Sequence, residues 1–154
     1  MWLPWLVFLA PATALPAPAL PELARLAPII GTWSSNEVTS HCDWSPDRRW
    51  IVCDQKGTVG GKTFDALSLY GYSPTTKQYV FFTEPDGAQA PFGATLKIEG
   101  KHWTYVPTNP EAAKSFRTVN DFVAPDHYDW QALQSEDGGK TWSVAMSGTS
   151  KRVK

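Results

Sequence analysis

The sequence predicts an all-β protein, a single antiparallel up-and-down β-barrel of about 8 to 10 strands with a short N-terminal helix. Turn-forming residues recur about every ten positions, and the segments between them alternate apolar and polar side chains. This pattern continues to the last residues of the chain. A meander of hairpins of this kind is typical of a closed barrel, whose interior can hold a small ligand.

Length and charge narrow the classes of function. The 154 residues suffice for one domain with its own core and give no reason to expect two. The formal charge is -1, and Lys is mixed with Asp and Glu along the chain rather than gathered in a basic stripe. Neither a nucleic acid nor an anionic membrane surface is therefore an expected partner.

The first segment has the composition of a secretory signal. Residues 1–21 contain no charged side chain, and their apolar run is too short to span a bilayer as a helix. Small-x-small patterns at residues 12–14 and 17–19 offer cleavage sites. We expect a signal peptide over residues 1–19, a barrel domain over residues 20–154, and a periplasmic or secreted location. The alternative is an N-terminal segment that stays attached.

A short helix and a series of strands follow. Leu20, Leu23 and Ala27 have helical spacing, and Pro28 ends the pattern, so this helix is expected to cap one end of the barrel. Eight turn signals then predict about nine strands. The turns lie at residues 46–47, 60–61, 73–74, 86–87, 99–100, 109–110, 125–126 and 137–139.

The turns fix which side chains share a face, because side chains alternate along a strand and a tight turn sets the pairing of its two strands. Four strands in one register then have an uncharged face, with Cys42, Trp44, Ile51, Cys53, Gln55, Phe64, Ala66, Ser68, Tyr70, Tyr72, Tyr79, Phe81 and Thr83. The opposite face carries Asp43, Asp54, Lys56, Asp65 and Glu84. Burying an unpaired charge costs far more than exposing an apolar side chain, so the uncharged face is predicted to line the interior.

Later strands extend this interior. The same reasoning adds Phe92, Ala94, Leu96, Trp103, Tyr105, Thr118, Asn120, Phe122, Gln131, Leu133, Trp142, Val144 and Met146. Asp129 lies close to a rim and is the only inward ionisable group in this register. The interior is therefore expected to be aromatic, with a few hydroxyls and amides that need partners. Whether it is hollow or packed solid stays open, because small barrels are found in both forms.

The only two cysteines, Cys42 and Cys53, face each other in this register. An exported protein meets conditions in which a disulfide persists, so we predict a structural bond between them. Closing this short loop contributes about 2 to 3 kcal/mol in the loop-entropy model. A metal site or a Cys-His pair with His41 is the alternative, but neighbours on a strand point to opposite faces.

Two motif-like strings are interpreted as turns. Residues 57–63 resemble a phosphate-binding loop, but they lack one residue of its spacing and join two strands. Residues 135–142 match the Asp-box pattern Ser-x-Asp-x-Gly-x-Thr-Trp, which is known as a repeated hairpin in sialidase-like propellers. Here it occurs once, in a chain too short for a propeller, so we interpret it as a structural hairpin.

The residues give little support for catalysis, so an enzyme is the less favoured class. His41, His102 and His127 are scattered and lack the spacing of metal ligands, and no Gly-x-Ser-x-Gly elbow occurs. Asp121 and Asp129 lie across a hairpin but on opposite faces in the predicted register. No cofactor and no metal are expected.

In order along the chain, these features resemble the calycin pattern shared by lipocalins and fatty-acid-binding proteins. The short helix leads into Gly31-x-Trp33 at the first strand, the meander follows, and a basic residue lies on the last strand. In those families the Trp lies at the closed end of the barrel and a late Arg packs over it. The resemblance therefore implies this structural role for Trp33 and Arg152, with Lys151 as the alternative.

A narrower resemblance covers nearly the whole mature chain. Residues 26–33, 50–52, 60–64 and 71–79 are similar to a bacterial lipocalin-like family of unknown function. Barrel haem proteins of the nitrobindin type are a related class that uses a His ligand, for which His127 is the candidate. The Gly-rich continuation of those proteins after Gly-x-Trp is absent here.

These observations favour an exported binding protein that holds a small apolar or aromatic molecule in its barrel. Two alternatives stay open: an enzyme using the same cavity with Asp129, and a solid-cored barrel acting through the surface around Trp50 and Phe82. The residues predicted to contact the ligand are Trp44, Tyr70, Tyr72, Tyr79, Phe81, Trp103, Tyr105, Asn120 and Gln131.

Overall fold

A computed structural model describes residues 18–85 and 91–153 of the chain. It confirms the all-β prediction, because ten antiparallel strands close into one barrel in which each strand pairs with its neighbours along the chain and β1 pairs with β10. The strands are β1 Gly31–Ser35, β2 Val38–Trp44, β3 Trp50–Val59, β4 Lys62–Ser73, β5 Gln78–Pro85, β6 Phe92–Glu99, β7 His102–Pro107, β8 Ser115–Ala124, β9 His127–Ser135 and β10 Ser143–Arg152. A 3-10 helix, Pro21–Ile29, precedes them and is named the plug helix.

The barrel has one strand more than the predicted turns imply. A tight turn at Asn36 and Glu37 divides the first strand segment into β1 and β2. Asn36 has a left-handed φ of 52°, which Asn tolerates better than most residues do. The other predicted turns lie between strands or begin on the last residue of one, apart from the turn at residues 86–87, which lies outside the described residues.

The two ends of the barrel differ in their cover. The plug helix lies at one end, named the closed end. The opposite end, named the open end, carries the turns at residues 36–37 and 60–61 and the loops at residues 108–114 and 136–142. Among the described residues, no helix has the length and apolar character that a bilayer crossing requires.

Strands β2 to β5 pair in the predicted register. Ile51 faces Tyr70, and Tyr72 faces Tyr79. Ile51, Ser68 and Tyr70 are buried, whereas the charged side chains of the opposite face lie outside. These hairpins contain no bulge, so the alternation of faces continues from one strand to the next.

The register of β9 differs from the prediction. Pairing between β8 and β9 shifts by one residue between Asp121 and Ala124, so that Asn120 faces Trp130 rather than Gln131. A slip of one residue exchanges the two faces of a strand. The inward placement of Gln131 is therefore wrong, and Gln131 is exposed on the outer surface.

The same slip moves Asp129 to the outer surface. Asp129 pairs directly with Asp121, so the prediction that these carboxylates lie on opposite faces is also wrong. Thr149 Oγ1 donates a hydrogen bond of 2.6 Å to Asp129 Oδ1. The ionisable group predicted inside the barrel is therefore outside it.

The plug helix fills the closed end with apolar side chains. Leu23, Leu26 and Ile29 are its buried residues, and they pack in one core cluster with Trp33 and Leu96. Their spacing of three residues suits a 3-10 helix, in which side chains at i and i+3 lie above one another. The helix therefore presents one apolar ridge to the barrel interior.

Trp33 and Arg152 join β1, β10 and the plug helix at the closed end. The Trp33 indole Nε1 donates to the carbonyl of Ile29 at 2.7 Å, and the Arg152 guanidinium lies 4.2 Å above the centre of the Trp33 ring. Arg152 also donates to the carbonyls of Ile30 and Pro28. Of the two basic residues that the resemblance implies for this contact, Arg152 makes it.

The predicted disulfide is confirmed. Cys42 and Cys53 are bonded across β2 and β3, with their Cα atoms 4.0 Å apart. Both residues are buried in the same core cluster as the plug helix. A buried structural disulfide indicates an oxidising environment outside the cytoplasm.

Candidate functional site

The open half of the barrel contains a cavity of about 670 Å³. By strand position, its floor is formed by Trp33, Tyr70, Phe81, Tyr105, Asn120 and Tyr128. Its walls and mouth are formed by Ser35, Asn36, Glu37, Val38, Ser40, Gln55, Thr58, Gly60, Phe64, Thr118, Trp130, Met146 and Ser150. Many of the wall side chains are small, so the open half keeps an empty space. At the other end of the barrel, the plug helix fills the interior.

The predicted ligand contacts divide between the two halves of the barrel. Tyr70, Phe81, Tyr105 and Asn120 line the cavity. The remaining aromatic residues of the predicted set, Trp44, Tyr72, Tyr79 and Trp103, belong to the packing of the closed half.

Two contacts show how these aromatic residues pack in the closed half. Tyr79 donates its hydroxyl to the carbonyl of Glu22 in the plug helix at 2.9 Å. Trp103 packs against Phe122, with ring centres 4.6 Å apart. Burial of the Tyr79 ring raises the pKa of its hydroxyl. Both side chains therefore hold the closed half together.

Three polar side chains meet at the cavity floor and are named the polar trio: Tyr70, Tyr105 and Asn120. The hydroxyl oxygens of Tyr70 and Tyr105 lie 3.2 Å apart, and Asn120 Nδ2 donates to the Tyr105 hydroxyl at 3.1 Å. All three residues are at least nine-tenths buried. Tyr70 pairs with Phe81, and Asn120 pairs with Trp103 and Trp130, so the trio is a polar group in a mostly aromatic floor.

Burial keeps the floor uncharged. It raises the pKa of Tyr70, Tyr105 and Tyr128 above the ordinary value, because the phenolate form loses its hydration. In Tyr105 the neighbouring Tyr70 raises the pKa further. These hydroxyls therefore stay protonated near neutral pH and act as hydrogen-bonding groups rather than as anions.

Trp130 is a wall residue that the predicted register missed. Its indole passes over Gly148, where an added Cβ would lie 2.9 Å from the ring, and Nε1 donates to Ser35 Oγ at 2.8 Å. The bulge that exchanges the two faces of β9 also turns Tyr128 toward the interior, where its ring centre lies 4.9 Å from that of Trp33. The pattern of β9 alone did not indicate this change.

The seam between β1 and β10 is short. Only two residue pairs join these strands, Trp33 with Arg152 and Ser34 with Lys151, whereas ten pairs join β3 and β4. The bond from Trp130 to Ser35 continues the connection beyond the last pair, on the open side. Trp130 thus ties β9 to the end of β1 beside the cavity.

The histidines lie outside the cavity. His102 Nδ1 is 2.6 Å from Asp121 Oδ1 on the outer surface, and His41 Nδ1 is 2.9 Å from Thr32 Oγ1. His127, the haem-ligand candidate, does not line the cavity and contacts Asp126 at a turn of the closed end. Within residues 18–85 and 91–153, no three His, Cys, Asp or Glu side chains could hold a metal ion together.

The Asp-box hairpin forms part of the open end. Asp137 accepts hydrogen bonds from the backbone N–H and hydroxyl of Thr141, and Ser135 also donates to it. These bonds lower the pKa of Asp137 to about 2. Arg117 lies 4.3 Å above the Trp142 ring and joins this hairpin to β8. The contacts agree with the interpretation of a structural hairpin.

A comparison of the chain with protein-family models and with curated proteins finds no match. The closed antiparallel barrel fits the calycin-like fold that the sequence resemblance implies. Membership of the bacterial lipocalin-like family stays a prediction from the sequence pattern.

Proposed function

We propose that the protein carries or senses a small apolar or aromatic molecule in the cavity of its barrel. The observation that carries this proposal is a space of about 670 Å³ with an aromatic floor. Among the described lining residues, Glu37 at the mouth is the one that carries a charge. Small-molecule sites are typically cavities of about 300 to 1,000 Å³ with mostly apolar walls and a few polar groups.

Export is part of the proposal. The Cys42–Cys53 bond supports an oxidising compartment such as the periplasm or the extracellular space. The signal over residues 1–19 that would direct export rests on composition, because residues 1–17 lie outside the described part of the chain.

The alternatives receive less support. The enzyme hypothesis relied on Asp129 as the ionisable group near a substrate, and Asp129 faces outward. Among the described lining residues, the carboxylate is Glu37, which lies at the mouth and not on the floor. A barrel acting only through its surface would have no use for a hollow half. Trp50 and Phe82 are partly exposed on the outer surface, but the Trp50 ring covers Gly71 there.

Two neighbouring residues of β8 allow a matched test. Thr118 lines the cavity, whereas Val119 pairs with Gln131 and Thr104 on the outer surface. The fluorescent probe N-phenyl-1-naphthylamine is neutral and apolar. We expect the wild-type protein to bind it, the Thr118→Phe variant to lose at least about tenfold in affinity because the added ring fills the space, and Val119→Phe to bind as the wild type does.

Circular dichroism of both variants checks that the barrel is retained. A wild-type protein that binds no probe, or a Thr118→Phe variant that binds as tightly as the wild type, would overturn the proposal. Native mass spectrometry of protein purified from its own host adds an independent measurement, because a bound molecule appears there as a fixed mass increment.

A further inference from the structure

The polar trio has more hydrogen-bonding capacity than it uses. Tyr70 and Tyr105 share one bond, so one of their two hydroxyl hydrogens is left over. Asn120 uses one of its two amide hydrogens for Tyr105, and no described residue donates to its carbonyl oxygen. The spare tyrosine and amide hydrogens lie at the cavity, where an acceptor oxygen of a ligand can bond to them. The Asn120 carbonyl oxygen can in turn accept from a ligand hydroxyl.

The cavity offers nothing that would neutralise an anion. Among its described lining residues there is no Lys, Arg or His. Glu37 lies at the mouth and repels negative charge. The buried Tyr70 and Tyr105 and the partly buried Tyr128 surround the floor in their neutral form, so a carboxylate there would lose its hydration without gaining a counter-charge.

We infer that the ligand is a neutral molecule with a flat apolar body and a carbonyl or hydroxyl oxygen that bonds to the polar trio, and that the cavity discriminates against carboxylates. This inference rests on the proposed function and adds the chemical class of the ligand. Phe81 and Tyr128 supply the aromatic surface beside the trio: the Phe81 and Tyr105 rings are 5.0 Å apart in an edge-to-face arrangement.

Three naphthalenes of matched shape test this inference. 2-Acetylnaphthalene carries a carbonyl, 2-ethylnaphthalene carries no polar atom, and 2-naphthoate carries a charge. By calorimetry or displacement of the fluorescent probe, we expect the acetyl compound to bind about three- to tenfold more tightly than the ethyl compound, as for one neutral hydrogen bond. The naphthoate is expected to bind at least about 100-fold more weakly than the acetyl compound.

Variants assign the preference to the trio. The triple variant Tyr70→Phe/Tyr105→Phe/Asn120→Leu replaces every polar group of the trio by an apolar group of similar shape. Such a change can be nearly neutral for stability, because no polar group is left without its partner. We expect it to retain the ethyl compound and to bring the acetyl-to-ethyl affinity ratio to about one. Asn120→Leu alone gives an intermediate ratio. The matched control is Thr118→Val, which changes another lining residue and leaves the ratio unchanged.

The outcomes separate this inference from the proposed function. If neither neutral naphthalene binds and the fluorescent probe does not bind, the proposed function fails. If the ethyl and acetyl compounds bind equally to the wild type, or the naphthoate binds as tightly as either, the inference is overturned and the binding function stands. The inference is also overturned if the acetyl-to-ethyl affinity ratio stays at the wild-type value in the triple variant, or if it falls to about one in Thr118→Val.

Discussion

The closed and open halves of this barrel are built from the same ten strands but differ in what fills them. In the closed half, Leu23, Leu26 and Ile29 enter from the plug helix and complete a core of large side chains. In the open half, inward positions such as Ser35 and Ser40 are small, and the loops leave a cavity. The strand pattern alone therefore does not decide whether a barrel is hollow, because the cover of each end and the size of the inward side chains matter as much.

Shortening a plug-helix residue gives the largest expected effect. Leu26 is fully buried, so Leu26→Ala should lower the free energy of unfolding by about 2 to 5 kcal/mol through lost burial and a new cavity. The matched variant Met146→Ala shortens a half-exposed side chain at the cavity and should cost less than about 1 kcal/mol. Urea unfolding of both variants measures the difference. Equal losses would mean that the halves do not differ in packing.

Removing the disulfide has the next largest effect. Cys42 and Cys53 close a loop with a sequence separation of 11 residues. Reduction of the wild-type protein should lower its stability by about 2 to 3 kcal/mol, because the unfolded chain regains the freedom of that loop. Urea unfolding with and without a reductant measures this loss. The Cys42→Ala/Cys53→Ala variant serves as control and should not respond to the reductant; an unaffected wild type would show that the bond contributes nothing.

The smallest effect concerns the Asp-box hairpin at the open end. The pKa of Asp137 is about 2 in the folded protein, below the value of about 3.9 for a free Asp. Its stabilising contribution is therefore complete above about pH 4 and is lost as the pH falls toward 2. The difference in melting temperature between the wild type and Asp137→Asn should shrink over that interval. A constant difference between pH 5 and pH 2 would contradict this linkage.

Tight hairpins without bulges were the predictable part of the fold. From the turns alone, the sequence predicted the inner face of β2 to β5 and the pairing of Cys42 with Cys53. The error in β9 has a local cause. Residues 121–124 contain neither Gly nor Pro, so nothing in their composition marked the bulge that turned Gln131 outward and Trp130 inward.

The cavity itself was beyond prediction from one sequence. Tyr70, Phe81, Tyr105 and Asn120 were correctly placed inside, but their packing depends on how far the plug helix reaches into the barrel. That distance is set by three-dimensional contacts such as the one between Trp33 and Ile29 rather than by alternation along the strands. The alternation of side chains therefore predicts which residues face inward, whereas the tertiary packing decides how much of the interior stays empty.

The short seam between β1 and β10 has a consequence for the order of folding. Every other neighbouring pair of strands is close in sequence, whereas the bond between Arg152 and Ile30 joins residues 122 positions apart. Closing so long a loop is slow, because its entropy is lost before the contacts form. The meander can assemble hairpin by hairpin, but the ring closes only when β10 returns to β1. We therefore expect the seam to be the last contact made and the first to exchange its amide hydrogens with solvent.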